Sequence, residues 1–356
     1  MESPIVDFYR DKTILLTGFS GFLGQIVVEK LLRCCEVKVI YVLIRNKKGK
    51  TWQSRIHQIF KDPLFDVIRK QKPDFSEKVV GIVGDCCLPN FGLNQEDLEN
   101  LKNKVNIVFH VAGLVNFDAK LSSAITTNVK GTHQHAFTCQ RRILTATNLV
   151  VSCILATAWD IGRNSYQSTP IYNFVTKRSN SLTWGQFIDD NLAAARTFPT
   201  SKCYWYYAFD TTEDLSTAKM LHFLYHTIPA YIVDFALILM GQKFRLSRLY
   251  KVIYRLNFVL ECFVFNEWIW EDNNVVELWK KMNPVDQAMF FFNMEKLEWQ
   301  SYLYKSLRGM RLYIAKDDPS TIPYGVKRQK VLKIIHYAVT YTIKGIGVFL
   351  LVLLQT

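Results

Sequence analysis

The chain has 356 residues, 49% of them apolar, a mean hydropathy of +0.03, and 44 Lys and Arg against 31 Asp and Glu, a formal charge of +13. That length holds two domains with cores of their own, and that charge suits an anionic membrane surface, phosphate-bearing ligands or nucleic acid. The absence of zinc-finger spacing, basic-region heptads and RNA-binding aromatic signatures removes nucleic acid, and eight cysteines without any C-x-x-C exclude a disulfide framework in favour of reduced thiols.

The opening MESPIVDFYRDK carries no apolar run, so no secretory signal is expected. Thr13 to Leu16 reads as a short buried strand, and it runs directly into Thr17-Gly18-Phe19-Ser20-Gly21-Phe22-Leu23-Gly24. Apolar Ile26, Val27, Leu31 and Leu32 then alternate with Glu29, Lys30 and Arg33 at helical spacing. A strand, a G-x-x-G-x-x-G turn and a helix form the context of a dinucleotide fingerprint. The glycines permit a tight turn and let the backbone approach a pyrophosphate at the helix N-terminus.

A second strand is expected over 37–44, ending in Arg45-Asn46-Lys47-Lys48. An NAD site places a carboxylate there to accept from the ribose 2′-OH. Cations instead favour a 2′-phosphate, so the pattern predicts NADPH. Further strands are expected over 78–83, ending in Gly84-Asp85, and over 105–113. Asp85 is a candidate for the adenine amino group, or equally a turn cap. Ala112 and Gly113 are small enough to let a cofactor pass. The pairs His133/His135 and His222/His226 lack the glutamate of a zinc-protease motif and read as packing or solvated histidines.

These strings resemble the extended short-chain dehydrogenase/reductase superfamily and, more narrowly, the alcohol-forming fatty acyl-CoA reductases. The likeness lies in TGFSGFLG (17–24), VEKLLR (28–33), YVLIRNKKGK (41–50), VNIVFHVAGLVNFD (105–118) and TNVKGT (127–132). It resumes at LATAWDIG (155–162), PIYNFVT (170–176) and SLTWGQF (181–187), and runs on to MFFFNMEKLEWQSY (289–302). The resemblance implies an NADPH-dependent, two-step reduction of long-chain fatty acyl-CoA to fatty alcohol. It implies a Rossmann-type α/β domain with a parallel sheet, then a helical C-terminal domain associated with membrane. Cofactor contacts are expected from Thr17, Gly18, Ser20, Gly21, Phe22, Leu23, Gly24, Arg45, Asp85 and Asn128. No metal is expected.

The chain departs from that pattern after TNVKGT. Where the family carries a further strand with a Ser/Thr motif and a helix with Tyr-x-x-x-Lys, residues 133–154 lead straight to LATAWDIG. None of the 17 tyrosines is followed by lysine four residues later, and Tyr172 with Lys177 misses by one place. The sheet domain is therefore expected to be truncated, with no residue assigned to catalysis. The expected domains are an NADPH-binding Rossmann half (11–135), a join and remnant of its end (136–200), a helical C-terminal domain (215–312) and a membrane-anchoring segment (328–356).

In the C-terminal half, Ile228 to Met240 is apolar but short and contains Asp234, so it reads as a buried or interfacial helix. Phe265, Trp268 and Trp270, near Asp272, read as aromatic core ahead of an acyl-site lining. Ile334 to Leu354 has the length of a bilayer span, although it contains His336 and Lys344. Lys327, Arg328, Lys330 and Lys333 precede it, which predicts a tail anchor with the body facing the cytosol. By the family's habit the membrane is that of the endoplasmic reticulum or peroxisome. Two functions fit: an acyl-CoA reductase, or a non-catalytic relative that binds NADPH and acyl-CoA or dimerises with an intact reductase. A sugar-nucleotide epimerase has no place for the C-terminal half.

Overall fold

The structure, a computed structural model, describes residues 2–353 apart from 46–48, 50, 114–146, 177, 210, 213, 244 and 265. Two compact units divide the chain: Met1–Ser181 with Trp270–Leu297, and Leu182–Ile269 with Glu298–Thr356.

The first unit is built on four parallel strands. Helix α1 (Pro4–Tyr9) leads through a left-handed Asp11 into β1 (Thr13–Thr17), whose five residues are all buried. Then follow α2 (Phe22–Cys34), β2 (Val39–Ile44), α3 (Trp52–Phe60), α4 (Asp66–Gln71), β3 (Val79–Val83), α5 (Gln95–Lys104) and β4 (Ile107–His110). The order is β3-β2-β1-β4, with Leu15 opposite both Tyr41 and Val108. All three pairings are parallel, as right-handed β-α-β crossovers require. Each expected strand is present, although the last ends at His110 rather than Gly113.

Burial on both faces explains why β1 is a continuous apolar run rather than an alternating one. Ile14 and Leu16 pack into a large core with Val27 and Leu31 of α2 and with Val151 and Leu155 of α6 (Thr147–Arg163). Leu15, from the other face, joins Leu43, Phe91 and Leu101. Two short later helices, Asn273–Lys281 and Pro284–Met289, complete the unit. Leu278 and Phe290 enter the main core, and Lys30 donates to the Met289 carbonyl at 2.7 Å.

The described elements of the second unit are helical: α7 (Trp184–Thr197), α8 (Leu215–His222), α9 (Ile228–Leu239), α10 (Leu246–Val264), α11 (Trp299–Gly309) and α12 (Ile322–Leu353). A capping box at Thr183 and Gln186 starts α7, which packs on α11. Arg311 and Asp317, both buried, pair at 3.3 Å. Asp317 also accepts from the Thr200, Ser201 and Thr321 hydroxyls. Burial raises the Asp317 pKa, but these donors outweigh it and hold the carboxyl below the usual range.

Two sequence expectations change here. A π-helical turn at Phe223–Thr227 joins α8 to α9, making Leu215–Leu239 one helix long and apolar enough to cross a membrane. The Ile228–Met240 stretch is largely exposed rather than buried, because only its Ala230 and Asp234 side turns inward. Trp268 and Trp270 are not aromatic core either. They lie in a non-helical segment that leaves both indoles about half exposed, and Phe265 falls outside the described residues. His222 and His226 stack on Tyr254 and Tyr250 of α10, which is the packing role. His133 and His135 lie outside the described residues.

Candidate functional site

The glycine turn sits at the carboxyl end of β1, where the strand order reverses between β1 and β4. Such switch points form the crevice in which open α/β sheets hold their ligands. Gly18 has φ +80°, and a Cβ there would lie 2.7 Å from the Ala112 nitrogen and 2.8 Å from the Val111 carbonyl carbon. No side chain fits between these two backbones. At Gly24 a Cβ would drive into the Gly18 carbonyl and approach Phe19 Cα at 2.9 Å, so the first turn of α2 can lie directly on the loop. Gly21 donates to the Gly18 carbonyl at 2.9 Å and occupies the N-cap of α2 in an extended conformation.

No side chain caps α2. Ser20, Gly21 and Phe22 are exposed beside its first-turn amides, while Leu23 is half-buried and packs on the main core. A helix start with uncapped amides, over a turn too tight for any Cβ, is an anion cradle that fits a dinucleotide pyrophosphate. Thr17, by contrast, points into the protein. It is fully buried, with its Oγ1 2.7 Å from His110 Nδ1, and so ties the ends of β1 and β4 together.

The other strand ends arrive at the same edge. Arg45 follows β2 and is exposed. Its carbonyl accepts from the Arg55 guanidinium, which α3 brings back to the strand end. Sequence reasoning missed Arg55, and ten residues of separation hid it; the hint was a second cation one helical turn into α3. Lys47, Lys48 and Asn128 lie outside the described residues.

Asp85 follows β3 and is half-buried. Its Oδ1 accepts from Cys87 N at 2.9 Å, so the carboxylate caps a turn, and its own N–H donates to the Phe91 carbonyl at 2.7 Å. Phe91 holds a left-handed backbone at φ +60°, rare for an aromatic residue, with its ring buried against Leu15 and Leu43. That strained residue fixes the loop behind Asp85, and the sequence had not singled it out.

A tyrosine and a lysine do meet in this unit, far along the chain from each other. Asp160 is buried on α6, and both Tyr166 and Tyr172 donate to its Oδ2 at 2.7 Å. Lys281 lies 3.0 Å from Asp160 Oδ1 and 3.2 Å from the Tyr166 hydroxyl. Burial pushes the Asp160 carboxyl up, but the two tyrosines and the lysine outweigh it and hold the group below its ordinary range. Burial, then the Asp160 acceptor, pushes the Tyr172 phenol well up.

A general acid needs the opposite shift. The cluster is also at the wrong end of the sheet. Gly162 of α6 lies against Phe8 of α1, which feeds the amino end of β1, whereas the glycine turn is at its carboxyl end. Lys177, the lysine nearest Tyr172 in sequence, lies outside the described residues.

Comparison with known proteins agrees with this geometry. Two family models, an NAD-binding one and one named Sterile, both described as male sterility protein, match residues 16–194 and 225–317. Fatty acyl-CoA reductase wat of Drosophila melanogaster is 30% identical over 467 residues, covering 94% of this chain and 90% of that protein. Fatty acyl-CoA reductase 1 of Rattus norvegicus is 25% identical over 468 residues, again covering 94% and 90%. Among solved structures, the terminal R domain from the myxalamid PKS-NRPS biosynthetic pathway matches at 31% identity over 35% of this chain and 30% of that one. Its TM-score is 0.30.

Proposed function

The chain belongs to the fatty acyl-CoA reductase (male sterility protein) family, and from that premise we propose that it is a membrane-bound protein that binds NADPH and long-chain fatty acyl-CoA. The family reaction is the reduction of that thioester to a fatty alcohol. The observation that carries the cofactor half is the Gly18–Gly24 cradle, which a single Cβ would fill. When bound, the nicotinamide supplies hydride. The amides of α2 receive the pyrophosphate, and Arg45, with Arg55 beside it, favours the 2′-phosphate that distinguishes NADPH from NADH. Ser20, Phe22, Leu23, Asp85 and Asn128 complete the proposed cofactor set, with Asp85 turned toward its loop as well. Thr17, buried against His110, holds the strand ends under the glycine turn instead of reaching the cofactor.

The membrane half is supported by α12. Its first turns hold to the body, with Arg328 donating to the Cys203 carbonyl at 2.7 Å and Trp205 donating to His336 at 3.1 Å. Beyond His336, apolar Tyr341, Phe349 and Val352 are more than half exposed. The proposed membrane is that of the endoplasmic reticulum or peroxisome, with the body in the cytosol.

A second reading concerns turnover, and a specific observation favours it. The tyrosine of a Tyr-x-x-x-Lys pair is the acid that protonates the developing alkoxide, and no such pair occurs in this sequence. An alignment of 467 residues against a chain of 356 contains gaps in this chain, and the proposed place for them is after TNVKGT, where the sequence lacks that block. Loss of a positioned general acid costs on the order of 10²–10⁴ in rate. The chain thus acts as a non-catalytic relative that holds NADPH and acyl-CoA, or that pairs with an intact reductase. Titration of the full-length protein with NADPH and NADH tests the cofactor assignment: tighter NADPH binding is expected, and equal affinity overturns it.

A further inference from the structure

We infer that the helical hairpin of α9 and α10 lies flat in the interface of an anionic lipid bilayer, its apolar stripe in the acyl region and its cations on lipid phosphates. The hairpin is held closed from within. Asp234 of α9 caps α10, accepting from Leu246 N at 2.5 Å and from the Ser247 hydroxyl at 2.5 Å. Ala230 and Asp234, one turn apart, face α10 and are buried.

The opposite side of α9 carries Ile232, Phe235 and Leu239 at helical spacing, each between 63 and 73% exposed, and Tyr231 and Ile238 extend the apolar stripe along its flank at 53%. A stripe of this size on a helix already partnered along its other face is not a core surface. On α10, Leu249, Val252 and Leu256 continue the exposed apolar surface. Arg248, Lys251 and Arg255 recur at i, i+3 and i+7 and are exposed.

The charges identify the occupant. A second copy of this chain would bring the same cations face to face, and a spanning hairpin would sink all three into hydrocarbon. A bilayer interface accepts both halves of the pattern at once, because long cationic side chains reach the headgroups while apolar rings and branches enter the lipid. Anionic lipid is preferred because no acidic residue lies between Asp234 and Glu261 to offset the cations. A groove of about 440 Å³ between α8 and α10 adds Lys219 and Lys251 beside Tyr250 and Tyr254, a setting for one phosphate headgroup.

This contact rests on the membrane-bound reading only in bringing the protein to lipid, and it is separate from the α12 tail. Full-length protein is added to vesicles carrying a diazirine on the phospholipid acyl chain, irradiated, and digested for mass spectrometry. Two compositions are compared: phosphatidylcholine alone, and phosphatidylcholine with phosphatidylserine. The expected result is lipid adducts on peptides from 228–256, at least roughly fivefold more abundant with phosphatidylserine, the weight of one surface cation.

The variant I232D/F235D/L239D should lose those adducts while keeping its helix content and NADPH affinity, and R248Q/K251Q should bring the two compositions level. Adducts confined to 337–353 overturn the inference and leave the tail reading standing. Adducts nowhere overturn both. Equal labelling in the two compositions overturns the choice of anionic lipid.

Discussion

A carboxylate at the end of β2 accepts from a ribose 2′-OH and repels a 2′-phosphate; the proposed role of Arg45 is the reverse, with Arg55 donating to its carbonyl. Arg45→Ala should therefore narrow the preference for NADPH over NADH by about 1.5–3 kcal/mol, the range of a charged hydrogen bond. Paired fluorescence titrations check this, and an unchanged ratio removes Arg45 from the site. Arg45 was a candidate in the sequence because it ends a strand; Arg55 was not, because only the path of α3 brings it back. Asp160 behaves differently. Its pKa in the folded protein lies below the ordinary value, so its stabilisation is complete above about pH 4 and is lost as pH falls through the lower folded value. Asp160→Asn should flatten the acid limb of a thermal-melt series below pH ~4 while lowering Tm at neutrality. A limb of unchanged steepness would show that the cluster does not set acid stability. Nothing in the sequence pointed to this cluster, since Lys281 lies 121 residues from Asp160 and chain separation carries no periodic signal.

At the scale of elements, β1 was visible because a strand covered on both faces is a short apolar run bounded by polar turns, while β3, an edge strand with Val80 and Val83 exposed, was visible from its β-branched residues. The glycine turn was visible because its residue types are forced by backbone contact at Gly18 and Gly24. The C-terminal helices were less readable. Apolar content reports that a helix avoids water but does not say whether protein or lipid replaces it, which is why the sequence admits either a buried or an interfacial helix for α9. Helix α12 shows the same ambiguity resolved along its own length. His336 is engaged by Trp205 and by the rings of Tyr206 and Tyr337, and the apolar stretch proposed as the anchor begins after it. From Tyr337 to Leu353 the helical rise gives about 25 Å, near the hydrocarbon thickness of a thin bilayer. Deleting residues 337–356 should shift the protein toward the soluble fraction on carbonate extraction of cell membranes. Complete extraction of the full-length chain would refute the anchor.

At the scale of the molecule, the two family matches divide between the units, with the nucleotide turn in one unit and much of the Sterile region in the other. Composition and spacing identified the cofactor-binding half without help; the acyl-CoA substrate came only from resemblance, because no residue pattern in a helical, aromatic-rich half specifies a thioester. Among the described residues, the one tyrosine–lysine contact serves Asp160 beside α1, away from the crevice. Tyr172→Phe should accordingly cost about 1.5–3 kcal/mol of stability, the range of a hydrogen bond to a charged group, and leave any residual chemistry unchanged. The central claim is that this chain retains cofactor binding but has lost the proton donor for the family reaction. It is tested most directly by incubating purified full-length protein, shown in the same sample to bind NADPH, with NADPH and a series of acyl-CoAs, and quantifying fatty alcohol against an intact relative. Saturable NADPH binding is expected, with fatty-alcohol formation at least about 10²-fold below that relative. Sustained turnover at a comparable rate would contradict it.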